Sequence, residues 1–145
     1  MGLIRSGNTD LTVEDDAELT DYLWPIVREM VKTAIENGQN LIVDGCYIPF
    51  DWRNDFGDQY LPHIRHICLC LSETYVEKHF DDILLHACDI ESRLDDSSCT
   101  VERLKRDNRM YLEGSRQHGL DVWLIEDDYE REIGQYLNGF GIKPV

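Results

Sequence analysis

The order of apolar and polar segments predicts an α/β protein with a parallel sheet and crossover helices. One observation is three short runs that are apolar without polar alternation, in "NLIVDG", "RHICLCLS" and "DVWLIE". Such runs suit strands covered on both faces. The other is the set of longer segments around them, whose apolar residues recur at helical spacing. Together they give helix, strand, loop, strand, helix, helix, strand, helix, the alternation of a sheet built from parallel crossovers. At 145 residues the chain is expected to form one domain, residues 1–145.

"MGLIRSGNTDL" is irregular, and Thr12 is placed to cap a first helix. Glu14, Asp15 and Asp16 then lie at its positive end, with Asp15 in the capping-box position. Leu19, Leu23, Ile26, Val27, Met30, Ala34 and Ile35 continue the pattern to a stop at Asn37-Gly38. Pro25 interrupts it, which predicts a kink or two helices meeting at Trp24-Pro25. Leu41, Ile42 and Val43 form the first expected strand, and "PFDWRNDFGDQYLP" reads as an aromatic-rich loop with room for a short helix. Ser72 can cap a helix over "ETYVEKHFDDILLHA" after the second strand. The most regular helix spans residues 100–118 and stops at Gly119. "DDYEREIGQYL" makes the last helix.

The net charge of −15 opposes a nucleic-acid partner, whose phosphates would be repelled. A small anion remains accessible to a local arginine cluster. No apolar run approaches the ~20 residues that span a bilayer. Five cysteines without framework spacing fit reduced thiols and a cytoplasmic setting.

Four groups of residues compete for chemistry. Asp44 follows the first strand, where open α/β sheets place carboxylates for magnesium or a substrate hydroxyl; as Asp-Gly it is equally suited to a turn. On the helix over residues 100–118, Val101, Leu104, Asn108, Tyr111, Leu112 and Ser115 share one side. Arg103, Arg106 and Arg109 lie opposite or on its flank, and Arg93 precedes them. Guanidinium rows of this kind suit a polyanion, although a solvated charged face would look the same. His66, Cys68 and Cys70 alternate on one strand face, better read as buried thiols than as a metal site lacking further ligands. His79, Asp82 and His86 share a helical stripe that suits a surface as well as a metal.

With these pieces placed, the chain resembles P-loop kinase-like proteins of the adenylate kinase-like or 2-phosphoglycerate kinase-like kind. The resemblance runs in order through residues 1–56, "ESRLDDSSCT" and "RDNRMYLE", and so covers nearly the whole chain. It implies a three-layer parallel sheet and phosphoryl transfer from ATP with Mg2+ to a small-molecule acceptor. It also implies a lid-like loop over residues 88–99. Asp44 then matches the family's acid-glycine pair, with aspartate replacing the usual glutamate. Arg93 and Arg109 match its lid and helix arginines, Arg106 joins them at the phosphates, and Arg5 meets the acceptor.

The Gly-rich loop ending in Gly-Lys-Ser or Gly-Lys-Thr does not occur in this sequence. Met1 corresponds to a position after the family's first two strands, so both are expected to be missing. Without that phosphate cradle the chain is expected to be inactive by itself. Three functions follow as expectations. The first is a kinase-like protein whose remaining segment, about 35 residues, lies upstream. The second is a non-catalytic binding or assembly module, a homodimer through exposed strand edges. The third is a metal-dependent enzyme using the histidine and cysteine positions.

Overall fold

The computed structural model describes residues 10–11, 16–87, 89 and 99–139. It divides into two compact units, Met1–Arg65 and His66–Val145. Among the described residues no helix is long and apolar enough to cross a membrane.

The first unit is built on α1, Asp16–Glu36, which continues through Pro25 as one helix. Its expected Thr12 cap lies outside the described residues. Gly38 ends the helix with φ 62°, a left-handed setting that favours glycine, and Gln39 N–H returns to Ala34 C=O at 2.8 Å. Two short 3-10 turns, Trp52–Asp55 and Leu61–His63, then bring the aromatic loop onto α1. Trp24 and Trp52 each meet Phe56 edge-on, at 6.0 and 5.9 Å between ring centres. The Trp24 indole N–H donates to Asp55 Oδ2 at 2.7 Å, which satisfies a polar group that burial would otherwise strand.

The expected strand at Leu41, Ile42 and Val43 is not formed. These residues join no ladder, and Ile42 is 93% exposed. An apolar run signals a need for burial, but a strand exists only where a neighbour completes its hydrogen bonds. Among the described residues no strand pairs with this one.

The second unit holds the sheet. β1, Cys68–Leu71, pairs in parallel with β2, Val122–Ile125, in the register Cys68 to Val122 through Leu71 to Ile125. Between them come α2, Glu73–Leu85, and α3, Val101–Gln117. The parallel pairing and its helical crossover are therefore as expected, in a sheet of two strands. Ser72 Oγ caps α2 by accepting from Tyr75 N–H at 3.1 Å, and Thr100 Oγ1 caps α3 through Arg103 N–H at 3.2 Å. Gly119, at φ 62°, closes α3.

α3 packs against both β1 and α2, and α4, Tyr129–Gly139, packs against β2. Val76, Cys70, Ser115 and Ile125 are the most deeply buried side chains of this unit. The start of α4 is crowded with acids, yet Glu132 turns its carboxylate onto the amides of Glu126, Asp127 and Asp128 at 2.8–3.0 Å. Those backbone bonds hold its pKa below the ordinary carboxylate value.

Candidate functional site: the arginine face and sheet edges

The helical spacing of Arg106 and Arg109 delivers both to the exposed side of α3, away from buried Ser115. Their surroundings differ. Arg109 forks onto Glu73 at the start of α2, with Nε 2.8 Å from Oε1 and a second contact through Nη2. Lys105 reaches Glu77 at 2.5 Å and the other Glu73 oxygen at 3.6 Å. Among the described residues Arg106 meets its neighbour Asp107, at 3.2 Å, and its side chain is 71% exposed. The fork from Arg109 lowers the Glu73 pKa and raises that of Arg109 itself.

Arg109 thus holds α3 to α2 through a carboxylate, the same planar geometry with which it would grip a phosphate. A phosphate arriving here must displace Glu73. At Arg106 the carboxylate to be exchanged is that of neighbouring Asp107. Arg93 and Arg5 lie outside the described residues, as does most of the expected lid over residues 88–99. Asp44 lies in the first unit, exposed and followed by Gly45 at φ 157°, in irregular backbone rather than at the end of a strand.

The edges of the sheet are treated unequally. On β2, the Tyr136 hydroxyl accepts from Leu124 N–H and donates to Leu124 C=O, both at 3.1 Å. One side chain of α4 therefore occupies the backbone positions that an added strand would use. The Tyr136 ring lies flat on Trp123, 5.1 Å between centres, which fixes the hydroxyl in place.

On β1, Cys68 N–H and Ser72 N–H donate to Asp121 and Ile125, so by alternation Leu69 and Leu71 face the opposite side. Asn108 Oδ1 takes Leu71 N–H at 2.7 Å. On that side no group among the described residues of this unit pairs with the backbone of Leu69, whose side chain is 45% exposed.

The cysteines form a second cluster. Cys68 and Cys70 project from the same face of β1 with their sulfurs 3.6 Å apart, and Cys68 also approaches Tyr111 C=O at 3.9 Å. Cys70 is buried while Cys68 is partly accessible. The Ser115 hydroxyl is fully buried and has no hydrogen-bond partner among the described residues, and its nearness favours the Cys68 thiolate. Donation from Cys70 and then from Ser115 brings the Cys68 pKa down to about 6. Sharing its proton with Cys68 pushes Cys70 up, against the positive charge of Arg116.

Along the sequence itself no cysteine has an electropositive neighbourhood. The Cys-x-Cys spacing was the available signal; Ser115 and Arg116 reach the pair only through packing of α3 on β1. His66 precedes β1 rather than sharing its face, and the histidine stripe resolves into separate pairs, His79 with Asp82 at 3.4 Å and His86 with Asp89 at 2.6 Å. Among the described residues no three His, Cys, Asp or Glu side chains gather as metal ligands.

Compared with protein-family models, with curated proteins and with solved structures, the chain finds no match.

Proposed function

We propose that this chain is a kinase-like phosphotransferase domain that engages the phosphates of ATP, or of a small phosphorylated metabolite, through α3. The observation that supports this most is the presentation of Arg106 and Arg109 on one exposed helical face, beside parallel strands joined by helices. Arg109 already makes the forked contact that a phosphate oxygen would take over. On the resemblance, Arg93 would add a third guanidinium; the roles of Arg5 at the acceptor and of Asp44 at magnesium or the acceptor hydroxyl rest on the resemblance alone. The absence of a Gly-Lys-Ser/Thr loop from this sequence makes the expected activity binding without useful turnover. A cytoplasmic setting fits the free thiols.

Calorimetric titration with Mg·ATP tests this reading. Arg106→Ala and Arg109→Ala should each weaken binding by roughly tenfold to a hundredfold, the range for charge-assisted hydrogen bonds of ~1.5–3 kcal/mol. Arg116→Ala, in the last turn of the helix, should change it little. Equal losses in all three variants would indicate diffuse charge attraction and reject the arginine assignment.

A second reading, an assembly module that pairs through its sheet, draws on the open edge at Leu69. In it β1 accepts a strand from another chain, with a homodimer as the simplest case.

A further inference from the structure

We propose that Cys68 and Cys70 form a thiol switch in which a hydroperoxide oxidises Cys68 and Cys70 resolves it to an intrastrand disulfide. The proposal is independent of any phosphate chemistry on α3. The two sulfurs lie 3.6 Å apart on one face of β1, so no movement between elements is needed to bring them together. Their accessibilities divide the roles. Cys68 is partly open to a small oxidant, whereas Cys70 is 1% exposed. The buried Ser115 hydroxyl, without a hydrogen-bond partner among the described residues, is free to turn its proton toward charge on the Cys68 sulfur.

The steps balance without a cofactor. The Cys68 thiolate attacks one peroxide oxygen; an S–O bond forms, the O–O bond breaks, and the departing oxygen takes up a proton and leaves as water from hydrogen peroxide or as an alcohol from an organic hydroperoxide. The Cys70 sulfur then attacks the Cys68 sulfenic acid; the S–S bond forms, the S–O bond breaks, and the released water carries away the Cys70 proton. Two thiols lose two electrons, and the peroxide is reduced.

Closing this bond strains the strand that carries it. Residues two apart on an extended strand are separated by about 6.6 Å between Cα atoms. Disulfides span about 4.4–6.8 Å, with most well below that limit. The bond therefore draws β1 together at Leu69, and the pairing of Cys70 with Leu124 loosens. Oxidation is thereby felt at Leu69, on the side of β1 that faces away from β2.

The test is peroxide treatment of the reduced full chain, followed by trypsin and mass spectrometry. Residues 66–78 contain Cys68 and Cys70 as their only cysteines and are bounded by Arg65 and Lys78. This peptide should lose ~2 Da, with the loss reversed by dithiothreitol, before exposed Cys46 is modified. Cys70→Ser should instead give a Cys68 adduct with dimedone, and Cys68→Ser should slow peptide oxidation at least about tenfold. Amide exchange at Cys70 should accelerate on oxidation and recover on reduction. A peptide that stays reduced while Cys46 or Cys99 reacts would overturn the switch, and so would exchange at Cys70 unaffected by disulfide formation.

Discussion

Ile125→Ala is expected to destabilise the second unit by about 2–5 kcal/mol, the range for removing a buried isoleucine side chain beyond its β-carbon. Ile125 is fully buried at the end of β2, opposite Leu71 in the parallel register. Its carbonyl accepts Ser72 N–H at 2.8 Å, and Ser72 is also the residue whose side chain caps α2. A cavity here weakens strand pairing and the first turn of α2 together. Against a domain stability of about 5–15 kcal/mol, the loss is a large fraction of the whole. Urea unfolding followed by Trp123 amide exchange should show it, while Ile125→Val should cost only ~0.5–1.5 kcal/mol. Similar small losses for both variants would mean that the base of this sheet is not tightly packed.

Tyr136→Phe is expected to cost about 1–3 kcal/mol, because one missing oxygen strands both polar groups of Leu124. The stacked ring over Trp123 is retained, so the change isolates the hydroxyl. It also exposes the outer edge of β2, and self-association measured by sedimentation should increase with protein concentration. A variant as stable and as monomeric as the parent would show that this hydroxyl does not guard the edge. Thermal unfolding in the same samples separates a loss of stability from a gain of association.

The elements that the sequence made legible were those whose signals are local. Thr100 and Gly119 bracket α3 because a cap oxygen and a left-handed glycine act within one helical turn. Ser72 does the same for α2, and the apolar run at Cys68–Leu71 supplies β1. The failure at Leu41, Ile42 and Val43 has a physical cause: strand formation depends on a partner that local composition does not name. The two-helix alternative at Trp24-Pro25 came from a rule about the isolated helix, whereas α1 runs through Pro25 as one helix.

The candidate site divides in the same way. Periodicity placed Arg106 and Arg109 on the outer face of α3, but it could not reveal that Arg109 is engaged by Glu73 on another helix. Nor could it bring Ser115 to the Cys68–Cys70 pair, which requires α3 to lie on β1. Tyr136 lies within the expected last helix and carried no signal of its own. Its value at the edge depends on an oxygen placed between two backbone groups of one residue.

The proposal that α3 receives phosphate is tested most directly by mapping backbone amide shifts during titration with Mg·ATP. The account predicts saturable shifts centred on Arg106 and Arg109, with Glu73 responding as its partner is taken by phosphate. Saturable binding with these amides unmoved, or no saturable binding at all, would contradict it.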